Sequence, residues 1–452
     1  MKRFLLISIL VSSIGASLHS MAQSRGHTHR HDSPTIYVIS SAHSDDGCYD
    51  EQSLQQAMER RSLAAEATRI DFEQTRRRGF QQLHNPQFIF STKNNRFSLG
   101  IGGEINFRTS YDLKGAVDNI DFVPYDIPMD ATFANRQRVM MDATTSRLYT
   151  KAVINSEKLG RVVAFVDMDF RGGEEFSYTP HLRSAYISML GFTAGRDVTT
   201  FCDLEAVPDM IDHEGPNAYN FRYATMLRYE LDFLHDHFTF GVAAEMPKVS
   251  GTYGENFIAL AQRVPDIPVY LQYAWGENRQ SHFRASAVFR NMYMHNARTN
   301  ENTSLFGWGV QASAHVEIGD WVTLYGNGIY GKGITPYIQD IAGSGLDFTP
   351  NPQNAEQIQT MPMWAWQVAA QVYIIPSKMW ASGGYSTVRV SQENGFYAED
   401  EYRRGNYIFG NVFYQLTSNC RLAAEYLHGS RTNMNKAMGE ANRLSLMVQY
   451  NF

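Results

Sequence analysis

The end of the chain sets a pattern that recurs along most of it. From Arg443 to Phe452, Leu444, Leu446, Val448, Tyr450 and Phe452 are apolar, while Arg443, Ser445, Gln449 and Asn451 are polar, with Met447 the single exception. Period two predicts a strand with one apolar and one polar face. Upstream, Val162, Ala164, Val166, Met168 and Phe170 alternate with Arg161, Val163, Phe165, Asp167, Asp169 and Arg171. Phe283, Ala285, Ala287 and Phe289 stand opposite His282, Arg284, Ser286, Val288 and Arg290, and Trp308, Val310, Ala312, Ala314 and Val316 opposite Gln311, Ser313, His315 and Glu317. Beyond Asn85-Pro86 this reading predicts about sixteen strands, near 96–108, 145–154, 160–170, 181–189, 192–198, 220–230, 237–246, 267–275, 281–291, 304–317, 321–330, 363–374, 378–390, 404–415, 419–428 and 441–452.

The connections between them are uneven. Short links, such as 156–159, 190–191, 319–320 and 417–418, alternate with long ones at 109–144, 199–219, 247–266 and 331–362. An antiparallel barrel with tight turns at one rim and long loops at the other produces this alternation, and an even strand number returns both ends to one rim. A soluble sandwich would show the same faces, so the decision rests on other features. Lys2 and Arg3, the apolar run from Phe4 to Val11 and the small residues up to Ala22 have the order of a secretory signal peptide cut after Ala22. The run is well short of the roughly 20 residues a membrane anchor needs, and no later stretch is apolar enough for a transmembrane helix. With aromatic content at 13%, an exported chain of this kind, if it spans a membrane, must do so with strands, and the signal peptide, the loop asymmetry and the terminal Phe452 decide for that. The expected fold class is therefore all-β, a transmembrane antiparallel barrel. Tyr149, Tyr186, Tyr229, Trp321, Trp380 and Tyr450 near strand ends are expected in interface girdles.

Before the barrel, residues 23–50 read as a linker, with His27, His29 and His31 as a solvated run and a short strand at 34–40 whose partner the sequence does not name. From Glu51 to about Leu83, Gln, Glu, Ala, Arg and Leu dominate without proline, which favours helix. Leu54 with Met58, and Leu63 with Ala67 and Ile70, form a short heptad seam. That seam fits either self-association or a solvated helix resting on another element.

Charge and chemistry narrow the function. Cleavage after Ala22 removes Lys2 and Arg3 and no acid, so net charge passes from −6 to −8, which argues against nucleic acid as partner. Cys48, Cys202 and Cys420 are odd in number and far apart, suggesting neither a disulfide framework nor a zinc site. Asp209, Asp212, His213 and Glu214 crowd one loop, where hydrogen-bonded carboxylates are a better reading than a cation site. No nucleophile elbow or phosphate loop is present, and no cofactor or metal is expected. By strand parity Arg161, Arg171, Arg183, Arg222, Arg228, Arg284, Arg290 and Arg443 face the lumen. Guanidinium can grip a carboxylate in two places, although about half of these should be held by Asp167, Asp169, Glu425 or loop carboxylates. The loop 199–219 is expected to fold inward and set Asp203, Glu205, Asp209 and Asp212 against the arginines.

Two parts of the chain, its ending and the stretch from Arg183 to Tyr229, carry resemblances to known proteins. The ending on Tyr450 and Phe452 resembles the closing strand of bacterial outer-membrane barrels, where the aromatic terminus is part of the signal read by the barrel-assembly machinery. Arg183-Ser-Ala-Tyr186, Gly191-Phe-Thr-Ala-Gly195-Arg196-Asp-Val-Thr-Thr-Phe201-Cys-Asp203, Ile211-Asp212-His-Glu-Gly215-Pro216, and then Arg222 and Arg228-Tyr229 resemble the DcaP-like porins of Gram-negative outer membranes. Arg196 stands where that family usually has Gln. The resemblance implies a homotrimer of sixteen-stranded barrels amid outer-membrane lipid and lipopolysaccharide. It implies passive diffusion of small anionic solutes such as dicarboxylates, and a periplasmic helical stalk, which favours a trimeric coiled coil at 51–85. The expected division is a signal peptide at 1–22, a linker at 23–50, the helix at 51–85 and the barrel at 86–452. A barrel enzyme, an adhesin or receptor barrel and a soluble β-protein remain as alternatives. The first has only the weak 203–214 cluster; an autotransporter or adhesin would need a larger passenger than the roughly 70 residues before the first strand offer.

Overall fold

The computed structural model describes residues 36–40, 51–92, 95–130, 132–174, 177–277, 279–351, 353–392 and 399–452. The predicted signal peptide, most of the linker and His27, His29 and His31 lie outside them.

Sixteen antiparallel strands close into one barrel. In chain order they are β1 (Phe97–Lys114), β2 (Arg147–Ser156), β3 (Gly160–Gly172), β4 (Thr179–Met189), β5 (Phe192–Val198), β6 (Tyr223–Phe233), β7 (Phe238–Glu245) and β8 (Ile267–Trp275). They continue as β9 (Ser281–Asn296), β10 (Glu301–Ile318), β11 (Val322–Lys332), β12 (Pro362–Ile375), β13 (Met379–Val390), β14 (Tyr402–Gln415), β15 (Cys420–Asn433) and β16 (Met438–Asn451). Each pairs with the next, and β16 closes on β1 from Arg443↔Asp112 to Asn451↔Glu104. A short piece, Arg138–Asp142, pairs with the upper part of β1 where β2 does not reach. Strands β1, β9 and β15 run further than the alternation indicated. Their tips are joined or flanked by polar residues, and at 297–300 and 434–437 the long-loop rim carries short turns, contrary to strict alternation.

The faces are inverted relative to a globular protein. On β16 Leu444, Leu446, Val448 and Tyr450 are exposed, whereas Arg443, Ser445, Gln449 and Asn451 are buried. Apolar groups face outward to lipid and polar ones inward. The exception at Met447 has a cause: it points inward and packs with Ile211, Trp380, Phe413 and Ala423. Phe452 exchanges two backbone hydrogen bonds with Gly103 at 3.0 Å each. A Cβ at Gly103 would fall 2.7 Å from the Phe452 ring, so glycine makes room for the closing aromatic.

Parity corrects half of the expected girdle. Trp321 and Tyr450 are exposed, and Tyr229 lies outward beside Phe192. Tyr149, Tyr186 and Trp380 instead point inward: the Tyr149 hydroxyl donates to His84 O at 2.6 Å, Tyr186 lies under Arg77, and Trp380 stacks on Phe413. Position near a strand end does not tell which face an aromatic takes.

The helix spans Glu51–Gln74 and is shorter than expected. Its end coincides with Arg76-Arg77-Arg78 and with Gly79, whose φ of +103° is outside helical space. Phe72 is fully buried against Ile89 and Val153, while Leu63, Ala67 and Ile70 are exposed. After Thr75–Gln87, the strand Phe88–Ser91 pairs with the base of β1, and Tyr37–Ser40 adds to it in parallel. The short strand near residue 34 thus has its partner.

Candidate functional site: a lumen crossed by three loops

Residues 199–222, between β5 and β6, cross the barrel interior. Ile211 N and Asp212 N donate to the two oxygens of Glu425 on β15, at 3.1 and 2.8 Å. Along the way Gln367 on β12 donates to Ala206 O, Ser386 on β13 receives Ala218 N, and Asn220 bonds Gln311 on β10. Two further loops join it. Phe122 N donates to Asp212 at 3.1 Å, and Asp340 receives Tyr125 N, Asn217 Nδ2 and the Tyr402 hydroxyl at 2.9, 3.0 and 2.6 Å. A buried carboxylate stays tolerable only with such donors around it.

Among the four expected constriction acids, Asp203 is buried between His282 Nε2 at 2.9 Å and Ser313 Oγ at 2.6 Å. Burial works against its charge, but His282 and Arg284 outweigh it and hold the carboxyl well below the usual range. Glu205 is half-buried, with its carbonyl facing His315 at 2.9 Å. Asp209 is also half-buried and lies 4.0 Å from Arg421. Asp212 is buried; burial, then the neighbouring Asp121, push it up to about 6. Asp340 is likewise pushed up to about 6 by burial. Asp212 spends its oxygens on Phe122 and Tyr407, and among the described residues no group of three His, Cys, Asp or Glu side chains is placed to hold a metal.

The eight arginines do not form one lining. Arg161 reaches Asp71 of the helix at 2.7 Å and Arg171 reaches Asp121 at 2.6 Å. A bulge in β4 opposite Asp167 and Met168 turns both Arg183 and Ser184 inward, and Arg183 binds Asp169 at 2.7 Å. Arg228 binds Asp197 at 2.9 Å, and Arg222 lies over Tyr337 with Asp266 4.0 Å away. Arg290 clamps Asp266 and Asp347, and Arg443 clamps Asp112 and the carbonyls of Val117, Asn119 and Ile120. Both are fully buried and tie loops to the wall. Only Arg284 has no carboxylate partner among the described residues: it donates to Thr200 O at 2.7 Å and lies 3.5 Å over the Tyr270 ring, half-exposed. Arg196, off the list, is on the outer side, donating to Leu182 O.

Parity also reaches residues that attracted no notice. Arg108 shares its face with Glu104 and Asn106, and binds Asp142 at 2.8 Å and Asp121 at 3.2 Å; Arg147 binds Asp167. Asp340 lies in a loop without periodicity, and nothing local marks it as a junction.

A closed barrel with an apolar exterior and a charged interior narrowed by its own loops is a channel of the outer-membrane type. It is similar in structure to the outer membrane channel DcaP of Acinetobacter baumannii, at 19% identity over 79% of this chain and 97% of that one, with a TM-score of 0.67. OmpT of Vibrio cholerae (12% identity, 79% and 98% covered, TM-score 0.50) and an anion-selective porin from Comamonas acidovorans (11%, 79% and 100%, 0.51) share the fold. None of the curated proteins matches the sequence. Residues 126–450 match the Porin subfamily, and the chain belongs to that family. It is an outer-membrane porin.

Proposed function

We propose that this porin passes small hydrophilic solutes by passive diffusion and prefers anions such as dicarboxylates. The observation that carries the preference is Arg284. It stands at the root of the inward loop, where it is the one predicted lumen arginine with no carboxylate at ion-pair distance among the described residues, Asp203 and Glu230 acting on it only from further off. A cation on the lumen wall favours an approaching carboxylate and repels cations. The Comamonas acidovorans porin, named as anion-selective, has this fold; since one fold hosts many selectivities, the preference rests on Arg284. The assembly is a homotrimer with the helices in the periplasm, associated along the exposed Leu63, Ala67 and Ile70. Lipid and lipopolysaccharide surround the apolar exterior, and Tyr450 and Phe452 present the assembly signal.

Swelling of liposomes carrying the purified protein tests this. A small dicarboxylate should enter faster than a dication of similar size, and Arg284→Gln should narrow the difference. Faster entry of the dication would refute the proposal.

A further inference from the structure

The chain between the helix and β1 enters the barrel. Arg77 pairs with Asp197 on β5 and lies 4.8 Å over the Tyr186 ring. Phe80 N donates to Leu204 O at 2.7 Å, and the Phe80 ring meets Tyr219 and Phe221 edge-on at 5.3 and 5.6 Å. Gln81 is fixed on three sides: its side-chain oxygen accepts from Arg183, its carbonyl accepts from Arg147, and its Nε2 donates to His213 O at 2.9 Å. At Gly79 a Cβ would fall 2.2 Å from Leu204 O, and φ is +103°. Only glycine permits that approach. The segment leaves past Gln87, whose Nε2 donates to Asn451 O at 3.0 Å.

We infer that Thr75–Pro86 is a second constriction of the channel, inserted from the rim that holds the chain ends and bonded to the inward loop 199–222. Channel width is then set by this segment, which precedes the first strand, together with the inward loops. Between the inserted segment and the wall lies a narrow cleft, partly open to solvent, lined by Arg76, Arg77, Arg147, Lys151, Asp167 and Asp197 among others. Those six contribute four cations and two carboxylates. The inserted segment thereby supplies part of the surface that a solute meets, whichever ion the pore prefers.

Single-channel conductance in planar bilayers tests the inference, comparing the full mature chain with one lacking residues 23–86 and with Gly79→Val. Heat-modifiable gel migration reports whether each barrel is folded. Removing the segment should raise conductance on the order of twofold, because conductance follows the open cross-section. A folded, truncated barrel with unchanged or lower conductance overturns the inference. If the truncated chain does not fold, Gly79→Val decides by the same criterion, since it alters no strand residue and only pushes the segment off Leu204.

Discussion

The two sides of the lumen wall hold their contents by different means. From β1 to β6, and at the β16 seam, inward side chains of neighbouring strands are ion pairs: Arg108 with Asp142, Arg147 with Asp167, Arg183 with Asp169, Arg228 with Asp197, Arg443 with Asp112. From β10 to β14 the wall side chains that hold the inward loop are mostly neutral: Gln311, Gln367, Gln371, Ser386 and Asn411 bond to it, and Ser313 donates to the Asp203 carboxylate. A buried charge is costly unless paired, so the charged side spends its arginines on fixing shape. The field a solute meets comes from what the pairing leaves over, and Arg284 on β9 stands where the two sides meet.

The comparison breaks first on the charged side. Arg147→Met leaves Asp167 with Arg183 Nε at 3.7 Å as its remaining cation, and should cost about 3–5 kcal/mol, read as a lower unfolding midpoint in detergent. A loss below about 1 kcal/mol, the scale of an exposed pair, would show that this wall is not held by its ion pairs. Glu425→Gln comes next. It replaces one oxygen that receives a loop N–H by a donor, and should cost about 1–3 kcal/mol while making the inward loop mobile, seen as noisier single-channel current.

Acidity sharpens the comparison without a mutation at the wall. Asp212 and Asp340 rise from 3.8 to about 6 in the folded lumen, and burial also lifts Glu214. The folded state then binds those protons more tightly than the unfolded chain, so their contribution to stability grows as pH falls through 6 and is complete below 3.8. His213, which burial keeps neutral, works the other way as a single group. The unfolding midpoint should climb from pH 7 to pH 5, and less so in Asp340→Asn; an equal climb in that variant would remove Asp340 from the account. The smallest effect belongs to the neutral side: Ser386→Ala loses the bonds to Ala218 N and Asn217, at about 0.5–1.5 kcal/mol.

What could be read from the sequence follows from periodicity. Strand positions and faces were legible because lipid on one side and polar lumen on the other force period two, down to the inward arginines of β3, β6 and β9. The same rule would have found Arg108 and Arg147. It named Asp167 and Asp169, which hold Arg147 and Arg183, but not Asp112, Asp121 and Asp266, which come from a strand tip and loops brought in by closure. It also could not show that residues after Gln74 leave the helix: Phe80 and Leu83 are apolar for contacts inside the barrel, where helical spacing has no meaning. The bulge that turns Arg183 inward depends on register with β3, and Met447 looked like an error in the pattern until its partner on the loop, Ile211, was in place.

The proposal at the centre is that, in a shape held by paired charges, Arg284 sets the sign of the field at the constriction. Its most direct measurement is the zero-current potential of the reconstituted porin across a planar bilayer in a potassium chloride gradient. The account predicts a sign showing chloride as the more permeant ion, reduced in Arg284→Gln; a sign showing potassium as the more permeant ion would contradict it.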